Sequence, residues 1–173
     1  MLSLQGFRTR IYPPEAKDKE AFLAIMRDSV GLHYPWVNAP KDHKEWERYL
    51  KRLDRDSEAG FLVKRLPDGV ICGVVNLNMI TYEALCSAYV SYFGVVGQVE
   101  KGYMKEGMLQ VIRYAFDELG LHRLEANIQP GNLPSIALAK STGFQYEGYS
   151  PRYLKINGEW CDHERWAVLA DDD

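Results

Sequence analysis

A glycine flanked by two lysines stands where an amphipathic helix is predicted to begin. Lys101 and Lys105 lie on either side of Gly102, and apolar residues then recur at helical spacing. The N-terminus of a helix presents unpaired backbone N–H groups and the positive end of the helix dipole, so it can bind a phosphate. The glycine lets an anion approach the backbone because it has no Cβ. An ordinary strand-to-helix turn, with the lysines solvated on the helix surface, is the alternative interpretation.

Other polar residues could also take part in chemistry. Asn132 and Ser135 begin a short predicted helix, and both residue types are good N-caps, which is the structural alternative to ligand binding. His163 follows Asp162 in a predicted strand, where a histidine more often has a structural role. A loop rich in glycine, proline and aromatic residues contains candidates for a binding surface or, for the tryptophan, a buried anchor: His33, Tyr34 and Trp36.

These residues have to be positioned by an alternation of strands and helices. Helical periods, alternating apolar residues and turn signals such as Asn157-Gly158 define the elements. Gly120 is a natural end for the central helix. The predicted elements are a strand at 6–13, helices at 15–30 and 42–56 separated by a shaped loop at 31–40, strands at 60–65, 70–80 and 87–95, a helix from about 102 to 119, a strand at 122–129, a helix at 132–143 and two strands within 146–169.

Bulk composition restricts the class of protein. The chain has 173 residues, which is typical of one globular domain, and we expect a single domain over 1–173. No apolar run reaches the roughly 18 to 20 residues that span a bilayer, and the first residues lack a secretory signal, so we expect a cytoplasmic protein that does not enter a membrane. A net charge of −3 argues against nucleic acid as a direct partner. Cys72, Cys86 and Cys161 lack the paired spacing of a metal or redox site, and we expect no metal.

The order of elements and three motifs resemble the GNAT superfamily of acetyl-CoA-dependent N-acyltransferases. The hexapeptide 99–104 corresponds to the family's pyrophosphate loop, Arg/Gln-x-x-Gly-x-Gly/Ala, although Val99 and Met104 depart from it. Residues 132–138, followed by Gly143 and Phe144, are similar to the pattern Asn-x-x-Ser/Ala-x-x-Leu with a closing Gly-Phe. Residues 147–169 are similar to the final hairpin of the RimJ and RimL branch, the ribosomal-protein-alanine N-acetyltransferases. The likeness covers nearly the whole chain.

The resemblance implies a mixed α+β fold. Its central, mostly antiparallel, twisted sheet carries helices on both faces, and one parallel strand pair is splayed. It also implies that acetyl-CoA is the co-substrate, with the arm of the cofactor in the gap between the splayed strands. The cofactor-binding residues that it implies are Tyr92, Phe93, Gly94, Val95, Lys101, Gly102, Tyr103, Met104, Lys105, Asn132 and Ser135.

For the chemistry, the resemblance implies direct attack of an amine on the thioester. Glu125 is the carboxylate that best matches the family's general bases, with a structural hydrogen bond or a surface position as the alternatives. Many members use a tyrosine as general acid four residues before the Gly-Phe pair, but Ala139 occupies that position here. This leaves Ser141 as the substitute, with a serine on the helix surface as the alternative. A backbone N–H at the end of the preceding strand could stabilise the oxyanion.

Three functions stay open. The first is acetylation of a protein N-terminus, whose α-amine has a pKa of about 7.7 to 8.0 and therefore needs little help from a base, unlike lysine at about 10.4. The second is acetylation of a small amine such as a polyamine, amino sugar or amino acid. The third is a coenzyme-A-binding or ribosome-associated module without catalysis. The sequence does not determine the oligomeric state, and a homodimer is one option.

Overall fold

A seven-stranded sheet organises the computed structural model, which describes residues 7–170. The strands are β1 (Thr9–Tyr12), β2 (Ala59–Arg65), β3 (Ile71–Thr81), β4 (Ser87–Gly94), β5 (Arg123–Ile128), β6 (Gln145–Ile156) and β7 (Glu159–Leu169). Their order across the sheet is β1-β2-β3-β4-β5-β7-β6. Every neighbouring pair is antiparallel except β4 and β5, which are parallel.

Helices cover both faces of this sheet. They are α1 (Lys19–Asp28), α2 (Val30–His33), α3 (His43–Leu53), α4 (Tyr103–Arg113) and α5 (Leu133–Ser141), with a 3₁₀ turn at Ala16–Asp18 before α1 and a π turn at Tyr114–Glu118 after α4. One buried cluster joins α1 and α3 to the sheet through residues such as Phe22, Trp46 and Leu62. A second joins α4 and α5 to the other side through Met108 and Ala139. The predicted mixed α+β architecture is confirmed.

The parallel pair is splayed, as the resemblance implied. Pairing between β4 and β5 covers only the residues from Ser87 to Tyr89 on one strand and from Arg123 to Glu125 on the other. Both strands then continue, β4 to Gly94 and β5 to Ile128, without bonding to each other. Because parallel strands end at the same edge of a sheet, the separation leaves a gap at that edge.

The predicted limits of the helical segment that α4 and the following π turn form together, and of the last hairpin, are also confirmed. The stripe of this segment that faces the sheet is fully buried at Met108, Val111 and Ala115. The helical segment stops at Gly120, whose φ of +65° is the left-handed conformation that favours glycine at a helix end. Asn157 and Gly158 join β6 to β7 with positive φ angles at both positions, which is the turn that their sequence predicts.

The loop predicted at 31–40 is wrong at its start. Residues from Val30 to His33 form α2, because the carbonyl of Ser29 accepts hydrogen bonds from the N–H groups of Leu32 and His33, each at 3.0 Å. Gly31 does not end the helix, and the chain leaves helical geometry only at Tyr34, the residue before a proline. The short helix places His33 in the interior, where it is 5% exposed.

Candidate active site

A cavity of about 650 Å³ opens where β4 separates from β5, between the end of β4, the start of α4 and the start of α5. The cavity exists because β4 ends at this edge of the sheet, and α4 and α5 both begin there. The cavity contains nine of the eleven residues that the resemblance implies for cofactor binding, namely Tyr92, Phe93, Gly94, Gly102, Tyr103, Met104, Lys105, Asn132 and Ser135.

The other two lie apart from the lining. Val95 is 3% exposed and packs into the core under α1 and α3. The ammonium of Lys101 donates to the carbonyl of Gly97 at 2.6 Å, which ties this side chain to its own loop. Of the two lysines that flank the glycine, Lys105 therefore faces the cavity.

Gly102 is the N-cap of α4 and has a φ of +82°, a conformation that L side chains rarely adopt. It has no side chain that could cap the helix, so the N–H groups of the first turn are available to an anion. This geometry is what a pyrophosphate site needs, because backbone donors and the helix dipole act in the same direction.

The two departures from the family loop pack against glycines in the sheet. The side chain of Met104 lies over Gly73 of β3, where an added Cβ would come 3.2 Å from the Met104 methyl group. Val99 lies over Gly94 in the same way, since a Cβ there would be 2.6 Å from Cγ1 of Val99. The side chains of Met104 and Val99, which are larger or less polar than those of the family pattern, thus pack against the sheet and leave the backbone N–H groups at the start of α4 uncovered.

Arg8 supports this loop from the other end of the chain, and sequence reasoning missed it. Its guanidinium donates to the carbonyl of Lys101 at 2.8 Å and pairs with the carboxylate of Glu106 at 2.6 Å. It also lies over the ring of Tyr103, 4.7 Å from the centroid. Arg8 therefore holds the backbone before Gly102, through Lys101, and side chains after it, those of Tyr103 and Glu106. No local signal could have found the arginine, because 93 residues separate it from its carbonyl partner.

A pair of hydroxyl groups bridges β4 and α5 at the inner end of the cavity. The Tyr92 hydroxyl donates to the carbonyl of Ser135 at 2.9 Å, and Oγ of Ser135 is 2.9 Å from the same hydroxyl. Burial raises the pKa of Tyr92 to about 12, an effect that the hydrogen bond from Ser135 partly opposes. Asn132 caps α5, because its Oδ1 accepts from the N–H of Ser135 at 3.3 Å.

His33 closes the cavity from the side of α2. Its Nε2 lies 2.8 Å from the carbonyl of Gly94, and since a carbonyl can only accept, Nε2 carries the proton. The ring meets Phe93 edge to face, with 5.1 Å between centroids. Burial lowers the pKa of His33 from its ordinary value; the bond to Gly94 opposes this shift, and the charge of Lys41 adds to it.

A second cavity, of about 390 Å³, adjoins the first. The two share five lining residues: Trp36, Val37, Tyr92, Asn132 and Ser135. Beyond this common wall the second cavity is bounded by β5, β6 and β7, including Asn127, Lys155 and His163. Among the described residues that line it there is no Asp or Glu, and Lys155 is its charged group.

The structure does not bring the two predicted catalytic residues into either lining. Glu125 accepts from Nε of Arg123 at 2.8 Å on β5. Ser141 is exposed at the end of α5 and donates to the carbonyl of Leu138 at 2.9 Å. Glu125 thus has the structural hydrogen bond, and Ser141 the helix-surface position, that were their alternatives to catalysis, and both catalytic roles stay predictions.

Of the two candidate binding residues that follow α2, Trp36 and Tyr34, one lines the cavities and the other does not. Trp36 lines both cavities and packs against Gly131, where an added Cβ would lie 3.2 Å from its ring. Tyr34 is 70% exposed and lines neither cavity.

Within residues 7–170 no three His, Cys, Asp or Glu side chains are grouped so that they could hold a metal ion. No helix in that range is long and apolar enough to cross a bilayer.

Comparison with known proteins agrees with this geometry. The acetyltransferase (GNAT) domain family matches residues 8–145. The probable N-acetyltransferase YjcK of Bacillus subtilis (strain 168) is 39% identical over 178 residues, covering 98% of this chain and 98% of that protein. Ribosomal protein uS5-alanine N-acetyltransferase of Escherichia coli (strain K12) is 36% identical over 104 residues, which cover 59% of this chain and 53% of that protein.

Solved structures show the same fold. Mycobacterium smegmatis RimJ, in complex with CoA-disulfide, superposes with a TM-score of 0.86 and 25% identity, covering 94% of this chain and 82% of that one. Spermidine N-acetyltransferase from Vibrio cholerae, in complex with CoA and spermine, superposes with a TM-score of 0.79 and 21% identity, covering 94% and 95%. The match of the domain family over most of the chain and the full-length relative lead to one conclusion: the chain belongs to the GNAT family of acetyl-CoA-dependent N-acetyltransferases.

Proposed function

We propose that this enzyme transfers the acetyl group of acetyl-CoA to the α-amine of a protein N-terminus. The observation that carries the proposal is the pair of adjoining cavities with a common wall at Tyr92, Asn132 and Ser135. One cavity offers an uncapped helix start for a pyrophosphate, and the other offers space for an acceptor. The resemblance of the chain to an enzyme named for acetylating the alanine of uS5 supports a protein acceptor.

The residues of the first cavity fit acetyl-CoA. The first-turn N–H groups of α4, next to Gly102, would hold the pyrophosphate, with Lys105 adding positive charge. The end of β4, which β5 leaves unpaired, would bond the pantetheine arm through its backbone. Bound there, acetyl-CoA would supply the activated acyl group, and a backbone N–H near Phe93 or Gly94 would stabilise the oxyanion.

The charge of the second cavity favours a singly charged or neutral amine over a polyamine. A polycationic acceptor would be attracted by carboxylates, and the described lining contains none, whereas Lys155 would repel it. The fold shared with a spermidine N-acetyltransferase keeps a small amine as the second candidate. We place the reaction in the cytoplasm, in agreement with three cysteines that form no disulfide.

The test is a thiol-release assay with acetyl-CoA, run against peptides with free alanine or serine N-termini, the same peptides blocked by formylation, and spermidine. We expect turnover of the free peptides and none of the blocked ones, with weaker turnover of spermidine. A preference for spermidine would replace the protein acceptor by a small amine. Binding of acetyl-CoA without turnover of any amine would support a non-catalytic module.

Charge reversal at Lys155 provides a matched arm of the same assay. Lys155→Glu should raise turnover of spermidine relative to the peptides by about threefold to tenfold at low salt, because one repulsive charge becomes attractive in a solvent-exposed site. Salt should reduce the difference. An unchanged ratio would show that Lys155 does not face the acceptor.

A further inference from the structure

A buried histidine in the acceptor cavity has one ring nitrogen that makes no hydrogen bond to the part of the chain that the structure describes. His163 is 3% exposed and lines the 390 Å³ cavity. Its Nδ1 lies 2.9 Å from the carbonyl of Cys161, which can only accept, so Nδ1 carries the proton. In the neutral ring Nε2 is then a proton acceptor, and no side chain or backbone group within residues 7–170 bonds to it.

An asparagine on the neighbouring strand lies on the same side of the sheet. Asn127 of β5 pairs with Arg165 of β7, two residues from His163, so the two side chains are diagonal neighbours. The Asn127 amide also lines the cavity and makes no hydrogen bond within the described chain, and its Oδ1 is shielded from solvent. Buried polar groups nearly always have a partner, so a group without one is a reason to expect a ligand or an ordered water.

We propose that Nε2 of His163 is the general base that takes the first proton from the acceptor ammonium, while the amide of Asn127 helps to hold that ammonium in place. The proposal rests on the proposed function and names the catalytic group for it. Glu125, the base that the sequence suggested, is paired with Arg123 and lies outside the cavity lining, whereas His163 lies within it.

The proton balance of the reaction is as follows. The ammonium gives one proton to Nε2, and the free amine forms the C–N bond to the thioester carbonyl. As the tetrahedral intermediate collapses the C–S bond breaks, the nitrogen loses its second proton and the thiolate gains one to leave as a thiol. The imidazolium returns its proton to solvent. The net products are the amide, the thiol and one proton.

The surroundings of His163 are mixed in charge. From β6, the ring of Tyr153 lies 6.2 Å away between centroids, and Lys155 lines the same cavity. On β7 itself, Asp162 precedes His163 and accepts hydrogen bonds from the hydroxyl of Tyr149 and the N–H of Arg152. Glu164 follows His163 and accepts from Nε1 of Trp166. Arg165, two residues after His163, lies on the same face of the strand. From β5 the facing group is the uncharged Asn127, with Gln129 at the strand end.

The decisive variant is His163→Asn. Its amide can keep the donor to the carbonyl of Cys161, because Nδ2 of asparagine matches the place of Nδ1, but it lacks Nε2. We expect kcat for an alanine peptide to fall about tenfold at pH 7, because only about a tenth of an α-amine with a pKa near 8 is neutral there without a base. The loss should shrink to about twofold or less near pH 9.5, where an α-amine is already neutral. The affinity for acetyl-CoA, measured by calorimetry, should stay within twofold.

Three further variants complete the test. Asn127→Ala should raise KM for the peptide about tenfold with a smaller change in kcat. His122→Gln, at an exposed histidine outside both cavities, is the control and should match the parent enzyme. If thermal unfolding shows that His163→Asn does not fold, His163→Gln replaces it, since an amide at the place of Nε2 also cannot take the proton.

An equal loss of kcat for His163→Asn at pH 7 and pH 9.5, or no loss, would overturn the proposal, because a purely structural histidine gives no rescue by pH. The result can be separated from a failure of the proposed function. If the enzyme acetylates a small amine and not peptides, the acceptor assignment fails. The comparison then still tests His163 when its higher pH is set above the pKa of that amine, which for a lysine-like amine is about 10.4.

Discussion

Tyr92 and Ser135 exchange hydrogen bonds across the gap in the sheet, each contact being 2.9 Å long. The pair is the link between the end of β4 and the first turn of α5, and both residues line both cavities. Because burial raises the pKa of Tyr92 to about 12, the hydroxyl is protonated at neutral pH and can donate the bond to Ser135.

Tyr92→Phe removes both hydrogen bonds and keeps the ring. We expect the free energy of unfolding to fall by about 1 to 2 kcal/mol, since each net hydrogen bond contributes about 1 kcal/mol and Ser135 loses its partner. Ser135→Ala, which loses one bond, should cost about half as much. Urea unfolding of both variants and of the double variant measures the coupling. Simple additivity of the two single effects would contradict the exchange of bonds.

Arg8→Ala should loosen the phosphate loop without removing it. The variant loses the bond to the Lys101 carbonyl and the contact over the ring of Tyr103. We expect the Kd for acetyl-CoA to rise about threefold to tenfold, which corresponds to about 1 kcal/mol. Calorimetry measures the change.

Arg27→Ala is the control for Arg8→Ala, because Arg27 also donates to a loop carbonyl, that of Lys41 at 2.8 Å, and neither Arg27 nor Lys41 lines a cavity. It should bind acetyl-CoA as the parent does. Equal Kd values for the two variants would show that Arg8 does not stabilise the loop.

His33 should make the fold sensitive to mild acid. Its pKa is lowered in the folded protein, mainly by burial, so below about pH 6.5 the unfolded chain binds a proton that the folded chain does not. The free energy of unfolding therefore rises with pH in this window. The stability that the neutral His33 contributes is present above about pH 6.5 and is lost as the pH falls below it. His33→Gln can keep the donor to Gly94 and should show a smaller loss between pH 7 and pH 5.

Urea unfolding at pH 5, 6, 7 and 8 checks the prediction for His33. The exposed His122 supplies the control, and His122→Gln should keep the acid dependence of the parent. If His33→Gln lost as much stability in acid as the parent does, the acid sensitivity would come from other groups.

The order of the elements was predictable because each has its own local signal. The buried stripe of α4, the left-handed Gly120 and the Asn157-Gly158 turn all depend on neighbours within a few residues. The α2 helix was missed because Gly31 and the following Pro35 indicate a loop, while the bonds from Ser29 that make the helical turn give no signal in composition.

The residues of the site that could be predicted are those in the motifs that resemble the family. The resemblance placed Gly102 and Asn132 at helix starts, which the structure brings to one cavity. Arg8 could not be found, because its partner is almost a hundred residues away in sequence. The unpaired nitrogen of His163 was hidden for a related reason: a histidine in a strand is usually structural, and only the register of β5 and β7 places it beside Asn127.

The central claim, that backbone N–H groups near Gly102 hold acetyl-CoA, is tested most directly by calorimetry of Gly102→Trp beside Gly97→Trp. The two glycines have similar φ angles, +82° for Gly102 and +77° for Gly97, so replacing either by tryptophan should cost a similar backbone strain of about 1 to 2 kcal/mol. Of these two glycines, Gly102 lines the cavity and Gly97 does not. We expect Gly102→Trp to lose measurable acetyl-CoA binding with an unchanged circular dichroism spectrum, and Gly97→Trp to bind within about threefold of the parent. Unaltered binding by a folded Gly102→Trp variant would contradict the account.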